Sequence, residues 1–184
     1  MSQLDNLIAN YRKHISSSHS ASLPPAQRVW FAVYSPEDER RLQAKLGEFD
    51  LATNNAGYLW HTIDLRGQLA AWFKSVDPDE LASWFRQPKL IKTYAKNEFQ
   101  EQLVSFVRTE LAKATEPSRT VFALTGLMEL FDYRHVSDIL AELEQSFKGF
   151  LLVFFPGERE ENIYRFLGAR DGWDYLAVPI LSER

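Results

Sequence analysis

The chain has 184 residues, a net charge of −4, an apolar fraction of 45% and an aromatic fraction of 14%, with 8 Gly, 8 Pro and no Cys. Such a length and apolar content predict one globular domain with a sizeable core. The lack of Cys excludes disulfides, thiolate metal sites and a Cys nucleophile. Lys and Arg are scattered among acids, so no basic face for a polyphosphate backbone is expected, and direct DNA binding is not expected either.

The N-terminal stretch "MSQLDNLIANYRKHISSS" lacks the basic start and apolar block of a signal peptide, which predicts a cytoplasmic protein. No run approaches the roughly 20 apolar residues of a bilayer span, so no membrane association is expected. Leu4, Leu7, Ile8, Tyr11 and Ile15 recur at helical spacing, predicting an amphipathic helix free to pack on the main body or on a partner. "SSSHSASLPP" then reads as a connector. Residues 1–22 are therefore expected as helix and connector, and 23–184 as a single α/β domain.

From Arg28 onward, strand-like runs alternate with helical ones: Val29–Tyr34, Tyr58–Leu65, Val121–Thr125, Phe150–Phe155 and Tyr175–Val178. That alternation predicts βαβ units and a mostly parallel sheet of about five strands with helices on both faces. "VFAL" and "FLLVFF" are apolar on consecutive residues, as in strands covered on both sides, and belong at the sheet's centre. Between the second and third strands lies a helical insert at about 67–114. Phe99, Leu103, Phe106, Val107 and Leu111 mark one helix there, while Trp72, Phe73, Trp84 and Phe85 either cap the core or form an exposed patch.

The first strand leads through "YSPEDERRL" into a helix, an arrangement in which many proteins hold a nucleotide phosphate. Phosphate loops use free backbone N–H groups, glycines for close approach, a Lys and the positive end of a helix dipole. Here there is no glycine between Tyr34 and Leu46, no Lys between Tyr34 and Lys45, and Pro36 removes an N–H. Ser35 as N-cap, Pro36 and the acids Glu37, Asp38 and Glu39 make a good helix start but repel an anion. Like charges ~4 Å apart oppose each other by about 4 kcal/mol at an effective dielectric of about 20. The turn is not expected to hold a nucleotide, and no cofactor is expected.

The same acids, with Asp64, Glu129 and Glu158 near strand ends, could instead bind Mg²⁺ or Mn²⁺. The chain would then be a divalent-metal-dependent phosphodiester or nucleotide hydrolase. Structural use of these acids is the competing reading, and no metal ligands or catalytic residues are assigned. His14, His19, His61 and His135 lack metal-ligand spacing. His61 reads as a hydrogen-bonded core residue, His135 as the opening of a helix, and Gly126 as permitting a sharp turn after a buried strand.

In "FPGEREENIYRFLGARDGWDYLAVPI", a strand is expected to end at Pro156–Gly157 and a short polar helix to carry Tyr164 and Arg165. Arg170 and Asp171 form either a local ion pair steadying a turn, or Arg165, Arg170 and Trp173 form a recognition surface.

"RVWFAVYSPEDERRL", "LGEFDLATNNAGYLWHTIDL" and "GFLLVFFPGEREENIYRFLGARDGWDYLAVPI" together resemble the BrxB family of bacterial BREX anti-phage systems. The resemblance spans nearly the whole chain and is least specific in the insert. It implies a small cytoplasmic subunit supporting host DNA methylation and phage restriction, without catalytic motifs of its own, that binds other BREX proteins, PglZ foremost. It also implies a sheet similar to that of P-loop NTPases with the nucleotide loop lost. The combined expectation is a non-catalytic adaptor whose contact surfaces include Glu37, Asp38, Arg40, Arg41, Glu158, Tyr164, Arg165, Arg170, Trp173 and the N-terminal helix. Self-association into a homodimer stays open.

Overall fold

The computed structural model describes residues 2–18, 23–160, 163–166, 173–174 and 177–182. The core is a parallel sheet of β1 (Val29–Tyr34), β2 (Leu59–Asp64), β3 (Thr120–Thr125), β4 (Phe150–Glu160) and β7 (Val178–Ile180), in the order β2-β3-β4-β1-β7. Every residue of β1 and β3 is buried. The protein is thus an α/β fold with a mostly parallel sheet flanked by helices, and the consecutive apolar runs lie at or next to its centre, as expected.

Side chains alternate across the sheet, and each face gathers its own core. Trp30, Ala32 and Tyr34 join Phe154, Phe150 and the apolar sides of α1 (Gln3–Ser17) and α2 (Glu39–Asn55). Val29, Phe31 and Val33 face the other way. They pack with α3 (Gln68–Ser75), α4 (Pro78–Arg86), α5 (Pro88–Tyr94), α6 (Gln100–Leu111) and α7 (Val136–Leu143).

α1 packs on the main body: Leu4, Leu7, Ile8, Tyr11 and Ile15 are all buried. Tyr11 shares a 2.6 Å hydrogen bond with the Thr53 hydroxyl on α2. Ser2 and Asp5 form a reciprocal capping box, and Lys45 of α2 reaches Asp5 at 2.7 Å. The stripe that could have met a partner is spent within the chain.

The insert forms α3 to α6, with a π turn at Ala95–Phe99. Its aromatics divide. Trp72 and Trp84 are buried with ring centroids 5.5 Å apart, and Phe99 stacks on Trp72 at 5.2 Å. Phe85, by contrast, is 59% exposed.

The C-terminal region departs from the expected helix. β4 passes through Pro156 and Gly157 to Glu160, then pairs antiparallel with β5 (Ile163–Phe166), which pairs with β6 (Trp173–Asp174). The parallel ladder to β1 ends at Pro156, whose missing N–H fits a strand leaving that ladder. The last strand lies at Val178–Ile180 rather than Tyr175–Val178; Tyr175 and Leu176 lie outside the described residues. Pro179 is tolerated because β7, among the described residues, is an edge strand paired to β1 alone.

His14 supplies a pH test of the α1 packing. Its ring meets Trp30 edge-on at 4.6 Å, and burial holds its pKa below the ordinary value, so the folded state favours the neutral ring. An unfolded chain takes up that proton near pH 6.5, before the folded one does, so the contribution is complete above that pH and is lost on acidification. The urea midpoint should therefore fall from about pH 7 to about pH 5, and His14→Gln should flatten that slope.

Candidate functional site

In an open α/β sheet, ligands gather outside the carboxyl ends of the strands, where neighbouring strands send their connections to opposite faces. Here those neighbours are β1 and β4. β1 continues to α2 on one face, whereas β4 continues into the hairpin whose Tyr164 is packed on the other. A cleft of about 470 Å³ opens at this point, lined by Tyr34, Ser35, Pro36, Glu158, Arg159 and Ser182 among others.

The exit of β1 is built differently from the expected helix start. Ser35 makes no side-chain cap; Pro36–Asp38 form a 3₁₀ turn, and α2 begins at Glu39. The Asp38 N–H donates to the Ser35 carbonyl at 2.9 Å and the Glu39 N–H to the Pro36 carbonyl. With no N–H on Pro36, at most one amide of residues 36–39, that of Glu37, remains for a ligand.

The side chains of the turn are also engaged. The Tyr34 hydroxyl donates to the Glu39 carboxylate, which also accepts from Gln43 at 3.0 Å. Burial and then that carboxylate raise the Tyr34 phenol well above its ordinary range. Asp38 pairs with Arg41 at 3.1 Å. Glu37, Arg40 and Arg41 are exposed and face solvent at this edge.

The acids at the neighbouring strand ends are committed elsewhere. Asp64 holds Arg66 through contacts of 2.8 and 2.5 Å, and accepts from the Arg66 N–H at 3.0 Å. Although burial opposes it, this pairing keeps the Asp64 carboxyl below its ordinary pKa. Glu129 accepts from the N–H groups of Gly67, at 2.7 Å, and Leu69, at 3.3 Å, closing the start of α3. Gly126 makes the tight turn between them: its φ is +77°, and a Cβ there would stand 2.8 Å from Asp64 Oδ1. Among the described residues, no group of three or more His, Asp or Glu is placed to hold a metal ion.

Of the residues expected at contact surfaces, Glu158 joins Ser35 and Pro36 at the cleft and is exposed. Arg165 is partly exposed and pairs with Glu160 at 3.3 Å. Tyr164, in contrast, is 1% exposed and belongs to the core: its ring lies 4.7 Å from Phe31 and 5.7 Å from Phe155. Its β-prone neighbours Ile163 and Phe166 suit a strand, and the buried ring pins that strand to the sheet. Arg170 lies outside the described residues, and Trp173 is described only by its backbone pairing with Tyr164. His61 is partly buried and meets Glu110 of α6 at 3.3 Å.

The sequence reading missed Arg159 and Ser182 as cleft residues. Arg159 sits one position beyond Glu158 on β4, 5.9 Å from the Tyr164 ring centroid. Comparisons with protein-family models, curated proteins and solved structures found no match.

The closure of this edge depends on Gly157, because a Cβ there would lie 2.1 Å from the Arg165 carbonyl oxygen. Gly157→Ala should separate β5 from β4 while the parallel core persists. Hydrogen exchange at residues 158–160 and 163–166 should accelerate at least ~tenfold, with β1 and β3 unchanged.

Proposed function

We propose that this chain is a non-catalytic adaptor that acts in the cytoplasm as part of a BREX anti-phage assembly, binding PglZ and supporting host DNA methylation and phage restriction. The observation that carries this reading is the turn after β1. At the place where a P-loop-like sheet would cradle phosphates, two amides are bonded within the turn, a third is absent, and Glu39 is tied to Tyr34. Tyr34, Ser35 and Pro36 of the BrxB-like stretch "YSPEDERRL" line one side of the cleft there, and Gly157, Glu158, Arg159 and Glu160 of the BrxB-like stretch "FFPGERE" line the other.

The surface left by this arrangement suits a protein better than a nucleotide. Glu37, Arg40, Arg41 and Glu158 place both signs of charge, exposed, around one edge. Mixed exposed charge at an interface rim fixes register and partner choice more than affinity. Among the described residues, no helix is long and apolar enough to cross a membrane.

Co-expression with PglZ tests the reading. The two proteins should co-purify through size exclusion, and the double change Glu37→Lys, Arg40→Glu should weaken the complex at least ~tenfold without altering the circular dichroism of the free chain. Separate elution of PglZ and the wild-type chain contradicts the proposed partnership.

A further inference from the structure

Residues 81–97, "LASWFRQPKLIKTYAKN", contain Arg86, Lys89, Lys92 and Lys96 and no acid, within a chain of net charge −4. Folding turns this run outward. α4 and α5 bury Trp84 and Ile91, and Trp84 stacks on Tyr94 at 4.5 Å, which fixes the inner side of both helices. Phe85, Arg86, Lys89, Lys92 and Lys96 are all exposed. The three lysines recur at spacings of three and four, one face of α5 and the π turn that follows.

An apolar area adjoins this basic stripe. Phe73, half-buried, lies 5.8 Å from Phe85 and 6.5 Å from Tyr133, joining α3 and α4 to the segment that follows β3. Lys92 Nζ bonds Asp132 at 2.7 Å across the same seam. In that segment Met128 is 37% exposed and Phe131 44% exposed. Asp132 has φ +65°, the one positive value recorded for a non-glycine residue among those described, so the Lys92 pair and the turn bonds to the Leu130 carbonyl hold a costly conformation.

We propose that this face of the insert is a docking surface for an acidic protein segment bearing apolar anchor residues. Arg86, Lys89 and Lys96 meet the acids; Phe85, Met128 and Phe131 receive the anchors. Exposed aromatic and Arg side chains are the usual centres of interface energy, and Met adapts its shape to a partner. A predominantly positive strip on an acidic protein draws in a negative partner and disfavours close approach of copies of the chain itself. A nucleic acid fits less well. A tracked phosphate backbone needs a longer run of cations, whereas Lys92 is already paired. Asp77, Asp79 and Glu80 before the stripe, and Glu98 after it, are exposed acids that close both ends.

This deepens the adaptor reading by assigning a second contact surface and its partner's chemistry, and its test uses no BREX protein. A random peptide library is panned on the immobilised full-length chain, and the most enriched peptide is titrated by fluorescence anisotropy at physiological ionic strength. Enriched peptides should be net negative with aromatic or aliphatic anchors. Phe85→Ser, and separately Lys89→Glu with Lys96→Glu, should each weaken binding at least ~tenfold, while Lys13→Glu on α1 leaves it unchanged. No enrichment, enrichment without acidic character, indifference to both insert variants, or tighter binding of an oligothymidylate overturns the proposal. Acidic-peptide binding that survives a failure to co-purify with PglZ would contradict only the partnership proposed above.

Discussion

The hydrogen-bond accounting at the exit of β1 determines what the rest of the molecule can do. A phosphate site at a strand-to-helix turn is made of unspent amides, and here the chain spends its own. Pro36 has no N–H, and the 3₁₀ turn uses those of Asp38 and Glu39. The Tyr34–Glu39 bond then anchors a carboxylate to the end of the strand, where the helix dipole would otherwise attract an anion. The acids that favour a helix start are the same ones that repel an anion there.

The surrounding architecture reinforces that outcome. β1 and β4 form the topological switch point, where ligands of open α/β sheets gather. Here β4 runs on as one arm of an antiparallel hairpin, with Tyr164 seated on Phe31 and Phe155. The strand edge is thereby lined by backbone and by exposed charges of both signs. Away from this edge, α3 to α5 bury Trp72 and Trp84 yet leave Phe85 and a row of lysines outside. The insert is therefore both a lid on the core and a second outward surface.

Most of the fold was legible because its signals are local. Consecutive apolar residues in β1, β3 and β4 and the 3.6-residue pattern of α1 and α6 need no tertiary knowledge. The errors arose where distant packing overrides local preference. "ENIYRF" is polar enough to suggest a helix, but Tyr164 is claimed by Phe31, more than a hundred positions earlier, which makes Ile163–Phe166 a strand. Pro156 suggests a strand end, whereas it marks a strand leaving its ladder, and the last strand, expected at Tyr175–Val178, runs through Pro179 as an edge strand. Asp64 and Glu129 looked like ligand candidates from position alone. Their true partners, Arg66 and the amides of Gly67 and Leu69, follow from the turn at Gly126, whose spatial closeness no spacing rule conveys.

The central claim is that the β1 edge offers no seat to a nucleotide, and isothermal titration of the full chain with ATP and GTP, each with and without Mg²⁺, addresses it most directly. The account predicts no saturable heat in any of the four titrations. A stoichiometric isotherm that disappears when Ser35 or Glu37 is replaced by proline, removing the amide there, would contradict it.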